Sequence, residues 1–150
     1  MNELKKETWQ ELKNMVEKAS AAYIAAVAED GFPSIKAVFA AKGSDGMKTF
    51  WFSTNLSAQR TQLFIKNPKA CVYFCDPERF LALSMKGNIR VRTDREARER
   101  IWEDGDEQYY TEGIDDPDYC VLEFSPVGGR FYCGREEFYK GDLAEEDFQE

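Results

Sequence analysis

The chain of 150 residues carries a formal charge of −8, with 43% hydrophobic and 32% charged residues, a composition typical of globular rather than disordered proteins. Its negative charge, without a basic patch, disfavours nucleic-acid binding. It contains no histidine, which excludes the commonest general base, metal ligand and haem ligand together. The sequence has neither an apolar run of about twenty residues nor a signal-peptide pattern, so we expect a cytoplasmic protein that does not enter a membrane.

The first predicted element is an amphipathic helix over about residues 2–20. Its apolar residues recur at three- and four-residue steps: Leu4, Trp9, Leu12, Met15, Val16 and Ala19. We interpret this stripe as the face that packs on the core, and the alternative is a helix that binds a partner.

Short strands separated by tight turns dominate the rest of the chain and predict an antiparallel meander. They cover residues 22–28, 34–41, 47–53, 69–75, 80–92, 120–124 and 130–133, the last two as a hairpin across 126–129. Gly87 is a predicted bulge. A further helix is predicted over residues 57–66. Thr93 and Glu96 fit a capping box for another helix that runs to about Trp102. An acidic loop follows over residues 104–118.

Six or seven strands with peripheral helices predict one mainly β domain for residues 1–150. We expect a closed barrel over about 21–134 and a frayed acidic tail over about 141–150. Aromatic residues make up 14% of the chain, a surplus that indicates a large core, a dimer interface or a flat ligand.

The four cysteines are Cys71, Cys75, Cys120 and Cys133. On one strand, Cys71 and Cys75 would lie about 13 Å apart at ~3.3 Å per residue. A disulfide needs Cα atoms within about 7 Å, so this pair cannot close. The sequence has no Cys-x2-Cys knuckle, so we expect free thiols in a reducing compartment and no metal site.

The most informative segment, residues 48–60, joins an aromatic strand to a hydroxyl-rich turn and then to the first turn of a helix. Backbone N–H groups and the positive end of a helix dipole suit an anion there, and Arg60 adds a guanidinium. Lys36 supplies a second cation from the preceding strand. Together they predict a site for a phosphate that carries a flat apolar body.

Simpler interpretations of the same residues stay open at this point. Lys36 is equally compatible with an ordinary solvated strand position. Arg60 is compatible with a pair to a surface carboxylate in so acidic a chain. Thr54 and Ser57 are compatible with capping the helix.

Five segments occur in a characteristic order: 31–36 (GFPSIK), 52–60 (FSTNLSAQR), 67–72 (NPKACV), 86–91 (KGNIRV) and 113–119 (GIDDPDY). Their order and spacing resemble the pyridoxamine 5′-phosphate oxidase-like split-barrel family of flavin-binding proteins. The likeness covers about residues 20–133. It implies a six-stranded antiparallel split β-barrel and a homodimer with FMN at the subunit interface.

By position, the resemblance makes Lys36 the first phosphate-binding basic residue and Arg60 the second. Ser53 and Thr54 fall at the end of the third strand, beside the phosphate. Gln59 departs from the pattern, since many members carry Arg there, although amides at the helix start can still donate. The candidate cofactor-binding residues are Lys36, Ser53, Thr54, Ser57, Gln59 and Arg60.

The resemblance implies an FMN-dependent oxidoreductase that acts on a small conjugated substrate, with a nicotinamide as a candidate reductant. A flavin performs the electron transfer itself and needs no histidine. No acid–base residue with a convincing neighbour stands out, so the catalytic residues are unassigned. The alternative is a flavin- or deazaflavin-binding carrier, sensor or stress protein without turnover.

Two activities of the family are disfavoured. Members that oxidise pyridoxamine phosphate carry a C-terminal segment with Arg and His, whereas this chain has no His and ends in residues 138–150. Haem degradation is disfavoured because no histidine is available to hold iron. Trp102, Tyr109 and Tyr110 either line a substrate pocket or pack at the dimer interface, and we favour packing.

Overall fold

The computed structural model describes residues 3–39, 41–134 and 136–149. The predictions also covered Asn2, Ala40 and Glu150, which lie outside the described residues, as does the side chain of Leu4. None of the helices in the described ranges is long and apolar enough to cross a membrane.

The secondary structure of the described residues is mainly β. The helices are α1 (Glu3–Lys18), α2 (Gln59–Lys66) and α3 (Arg95–Ile101). The strands are β1 (Ala21–Val27), β2 (Pro33–Phe39), β3 (Gly43–Ser44), β4 (Phe50–Asn55), β5 (Lys69–Asp76), β6 (Leu81–Arg92), β7 (Tyr119–Cys133) and β8 (Tyr139–Ala144). Short 3-10 helices cover Asp106–Gln108, Gly113–Asp115 and Glu145–Gln149.

The eight strands of the described residues form one antiparallel sheet in the order β2–β1–β5–β6–β7–β4–β3, with β8 paired to β7. Side chains alternate between the two faces of a strand, so Ala22, Ile24 and Ala26 of β1 face the core while Tyr23 faces outward. The sheet curls around this core as half a barrel. The mainly β antiparallel prediction is confirmed, with eight strands instead of six or seven and an open sheet instead of a closed barrel.

The predicted core-facing stripe of α1 is confirmed. Trp9, Leu12 and Val16 are at most 5% exposed and join the main core cluster with the inner side chains of the sheet. Burial of this apolar face against the sheet, more than the intrinsic helix propensity of the segment, stabilises α1.

A second, smaller apolar cluster holds the acidic loop against the sheet. Its buried members are Trp51, Ala97, Ile101, Tyr110, Tyr119 and Val121. The ring of Tyr119 lies 4.7 Å from that of Tyr110 and 5.2 Å from that of Trp102. This cluster fixes the segment after α3 beside the end of β4, where the candidate site lies.

The predicted hairpin across residues 126–129 is wrong, because β7 continues through it as one strand of 15 residues. It pairs with β6 along its length and with β8 at its far end. Gly129 allows β7 to lie close to β6 and does not form a turn, because a Cβ at this position would collide with the backbone oxygen of Ser84. The predicted bulge is confirmed by a register shift between Lys86 and Gly87.

Residues 139–149 form β8 and a 3-10 helix, so the predicted frayed tail is also wrong. Phe148 is fully buried and its ring lies 5.4 Å from that of Trp9. Asp147 accepts hydrogen bonds from Lys5 Nζ (2.8 Å) and the Ala144 N–H (2.8 Å). Burial of the Phe148 ring therefore holds this acidic segment against α1.

Candidate functional site

A cavity of about 760 Å³ lies where the ends of β2 and β4 and the start of α2 meet the acidic loop. Ser53, Thr54, Asn55 and Arg60 line the part formed by β4 and α2. The end of β2 contributes apolar side chains, including Val38 and Phe39, and the acidic loop contributes tyrosines and carboxylates. The volume falls in the range of small-molecule and cofactor sites.

Arg60 presents a charged group to the cavity without a carboxylate partner. Its Nη2 donates to Thr54 Oγ1 at 2.8 Å, and its buried Nε has no hydrogen-bond partner. Among the described residues no ion pair involves Arg60, so the surface-pair interpretation finds no support. Arg60 is half-buried and lines the cavity, and a guanidinium there without a carboxylate partner suits an anionic ligand through charge-assisted hydrogen bonds.

The turn before α2 already binds a carboxylate of the chain itself. Asp118 accepts from Asn55 Nδ2 (2.7 Å), from the Ser57 N–H (2.8 Å) and from Ser57 Oγ (3.0 Å). The bond from Asn55, followed by those from Ser57, lowers the pKa of the Asp118 carboxyl. The N-cap of α2 is Ala58, without a side-chain capping bond, so neither Thr54 nor Ser57 caps the helix.

Three of the six predicted cofactor-binding residues, Ser53, Thr54 and Arg60, are brought together at the cavity. The other three lie elsewhere in the described structure. Lys36 is exposed on β2, opposite Ile24 of β1, and Ser57 is bonded to Asp118.

Gln59, at the start of α2, is the third residue outside the cavity lining. It faces a separate surface groove of about 480 Å³ that Glu29 and Lys66 also line. Gln59, where many family members carry Arg, is thus turned away from the cavity in this chain.

An ion pair in the cavity wall was missed by the sequence analysis. Lys42 Nζ lies 2.6 Å from Asp106 Oδ2, and the two side chains are only 13% and 10% exposed. The same Asp106 oxygen accepts from the Glu103 N–H at 3.0 Å. The two residues are 64 positions apart, so no local pattern could have connected them.

Two aromatic rings flank the opening of the cavity. Phe39 and Tyr109 are 64% and 54% exposed, and their ring centroids lie 5.7 Å apart. Tyr110 is buried, and burial raises its pKa to about 12, so its hydroxyl stays protonated near neutral pH. Tyr109 and Tyr110 line the cavity, whereas Trp102 lies outside its lining and packs on Tyr119 of the same chain. Packing of the three rings at a dimer interface stays a prediction.

Behind the cavity, the thiol of Cys120 is not a candidate nucleophile. Its Sγ donates to the Thr54 backbone oxygen at 3.6 Å. Burial raises its pKa to about 12, whereas a reactive cysteine needs a depressed pKa. Among the described residues, no three or more His, Cys, Asp or Glu side chains are grouped to hold a metal ion.

Comparison with known proteins identifies the family. The family model described as pyridoxamine 5′-phosphate oxidase matches residues 8–133. A structure from Clostridium acetobutylicum is 34% identical with a TM-score of 0.83, covering 95% of this chain and 98% of that one. That protein is described as related to general stress protein 26 of B. subtilis, in the pyridoxinephosphate oxidase family. The chain belongs to the pyridoxamine 5′-phosphate oxidase family, as its motifs indicated.

More distant structures share the fold. A pyridoxamine 5′-phosphate oxidase-related, FMN-binding protein from Nostoc punctiforme is 14% identical with a TM-score of 0.64, covering 93% of this chain and 94% of that one. A haem-binding protein from Mycobacterium smegmatis is 14% identical with a TM-score of 0.72, covering 94% of this chain and 59% of that one. No curated protein matches the sequence. The predicted split-barrel fold is confirmed.

Proposed function

We propose that this chain binds FMN in the cavity beside Arg60 and acts as an FMN-dependent oxidoreductase on a small conjugated substrate. One observation carries the proposal: a guanidinium without a carboxylate partner faces a cavity of about 760 Å³ in a member of this family. The FMN-binding relative from Nostoc punctiforme supports the choice of flavin.

The donors around Arg60 fit a phosphate. The guanidinium supplies charge-assisted N–H donors, and Ser53 and Thr54 line the same part of the cavity. Thr54 is 2% exposed and already accepts from Arg60, so its own O–H is free to donate to a ligand. The role of Lys36 as a second phosphate-binding residue stays a prediction, because its exposed side chain lies outside the cavity lining.

The remainder of the cavity fits a flat ring. Val38 and Phe39 offer apolar surface, and Tyr109 stands beside Phe39 at the opening. When bound, the flavin supplies the transfer of electrons to the substrate. The chain's own residues hold its phosphate, orient its ring and exclude water from one face.

A second copy of the chain is the proposed cover of the opening. On the outer face of the sheet, Ile35 lies opposite Ala25 and Phe39 opposite Ala21, and Ile35 and Phe39 are each 64% exposed. Tyr23 adds a third exposed apolar side chain, at 41%. Such an apolar surface favours a protein interface, and a two-fold dimer would bury the same face of both copies. Because Phe39 also lines the cavity, FMN would then lie at the interface.

The direct test is the absorbance of the purified protein, with and without added FMN. We expect a yellow protein that releases FMN on denaturation, and an apoprotein that binds FMN more tightly than riboflavin. A colourless protein that binds neither would contradict the proposal. Oxidation of a reduced nicotinamide by the FMN-loaded protein, with an electron-poor conjugated acceptor present, tests the enzymatic part.

A flavin- or deazaflavin-binding module without turnover is the second candidate. It is favoured by the state of the polar groups in the cavity, since Asp106 is paired with Lys42 and Tyr110 holds its proton tightly. Tight FMN binding without any nicotinamide oxidation would select it. Haem is a weaker candidate, despite the haem-binding relative, because the sequence offers no histidine to hold iron.

A further inference from the structure

The Lys42–Asp106 ion pair lies in the wall of the proposed FMN cavity and includes none of the six residues predicted to bind the cofactor. Phe39 and Lys42 lie on one segment, and Asp106 and Tyr109 lie on the other. The ion pair and the Phe39–Tyr109 ring contact therefore join the same two segments, at a 2.6 Å and a 5.7 Å separation. Thr54 of β4 and Arg60 of α2 lie on neither of these two segments, so the ion pair shares its segments with the two aromatic rings.

We propose that Lys42 and Asp106 set the preference of this cavity for the charge state of the bound ring. Lys42 stabilises a reduced, anionic isoalloxazine relative to the neutral oxidised one, and Asp106 moderates that preference. This inference rests on the proposed function, because it takes FMN as the ligand. It assigns a property of the cofactor, its reduction potential, to two residues outside the predicted site.

The donor inventory of Lys42 supports a role toward the ligand. An ammonium has three N–H donors, and among the described residues the ammonium of Lys42 makes one hydrogen bond, to Asp106. The carboxylate of Glu103 lies 3.8 Å away, beyond hydrogen-bond distance, and its side chain is 64% exposed. Two N–H donors are thus left for a molecule in the cavity.

The electrostatics of the wall support the same role. Lys42 and Asp106 are shielded from water, so their charges act over a longer distance than surface charges do. At an effective dielectric constant of about 20, a unit charge about 10 Å from a singly charged ligand changes the dissociation constant of that ligand by more than about tenfold. Reduction of the flavin at mildly alkaline pH adds one negative charge to the ring, and nearby protein charge tunes that step.

A purely mechanical role for the pair makes a different prediction. If Lys42 and Asp106 only fasten the acidic loop, then removing either residue loosens the same loop and changes FMN binding in the same direction. If the charges act on the ring, the two removals have opposite effects on the reduced form relative to the oxidised form. The sign of the change separates the two roles.

The experiment measures dissociation constants for oxidised FMN and for dithionite-reduced FMN, anaerobically at mildly alkaline pH, in wild type, K42Q, D106N and the double variant. The quantity of interest is the ratio of the oxidised to the reduced constant. Both forms carry the same phosphate, so general damage to the site cancels in this ratio. The matched control is K69Q, which removes one positive charge from the exposed start of β5.

We expect K42Q to lower the ratio about tenfold and D106N to raise it about tenfold, with the double variant near wild type and K69Q unchanged. A tenfold change corresponds to about 30 mV in a two-electron potential. K42R keeps the charge and should keep the wild-type ratio, which decides the matter if D106N does not fold. Wild type that binds neither form of FMN overturns both proposals. FMN binding with an unchanged ratio in K42Q, or with ratios that move the same way in K42Q and D106N, overturns this one alone.

Discussion

The carboxylate of Asp118 accepts hydrogen bonds from both the amide and the hydroxyl of Ser57, at 2.8 and 3.0 Å. The turn before α2 therefore binds an anion, as its sequence indicates, but this anion is a side chain of the same chain. Arg60 and Thr54, on the cavity side of the turn, are left for a ligand. Under the proposed function, Asp118 and the FMN phosphate use different donors of one strand–helix junction.

The variant D118N tests this internal anion. The bonds from Asn55 and then Ser57 lower the pKa of Asp118, so its contribution to stability is present above the unfolded-state pKa of about 4 and is lost as pH falls through the folded-state value. We expect D118N to reduce the free energy of unfolding at pH 7 by about 1 kcal/mol. Urea unfolding from pH 7 down to pH 2 should show this difference shrinking below about pH 4. A difference that is constant across this range would contradict the assignment.

The variant R60A tests the phosphate site. Removal of charge-assisted bonds worth about 1.5–3 kcal/mol should weaken FMN binding about 10- to 100-fold. Riboflavin lacks the phosphate, so its affinity should hardly change. Titration of both ligands by flavin fluorescence measures the difference, and R90A, at an exposed position of β6, is the control. Equal losses for FMN and riboflavin would show that Arg60 does not bind the phosphate.

The same titration with K36A tests the second predicted cation. The family resemblance predicts a loss specific to FMN, and the double variant K36A/R60A should then lose more than R60A. Lys36 lies outside the cavity lining of the single chain, so such a loss also requires the dimer or the ligand to bring it near. Unchanged FMN affinity in K36A would remove Lys36 from the site.

The variant I35D tests the proposed dimer. A charge at this exposed apolar position of β2 would be buried without a partner in a two-fold interface, which costs several kcal/mol. We expect the sedimentation mass to fall from two copies to one, with weaker FMN binding. I65D, at a 55% exposed position of α2, should leave the mass unchanged. A wild type that sediments as one copy with FMN bound would refute the interface.

The variant F148A tests whether the acidic end is part of the core. Phe148 is fully buried against Trp9, and replacing such a ring by Ala usually costs about 3–5 kcal/mol. F32A, at a 72% exposed ring, should cost at most about 0.5 kcal/mol. Chemical denaturation of both variants gives the comparison, and a small loss in F148A would restore the frayed-tail prediction.

Local patterns predicted those parts of the fold that local physics controls. The three- and four-residue steps of α1 and the alternation along β6 follow directly from helix and strand periodicity. The hairpin predicted at 126–129 failed because Pro and Gly indicate turns only on average. In β7, Gly129 is small enough to let this strand lie close to β6. A local sequence pattern cannot reveal this contact, because the two strands are far apart in the chain.

The sequence by itself determined the family, the mainly β class and an anion-binding turn that ends in Arg60, because each depends on motifs and periodicities that follow the order of the chain. Only the tertiary structure decided which groups meet there. The pairing of β4 with β7 sets Asn55 opposite Tyr119 and so brings Asp118 to Ser57. The packing of the acidic loop likewise brings Asp106 to Lys42, 64 positions away. Strand register and core burial fix these contacts cooperatively over the whole domain, so no short segment encodes them alone.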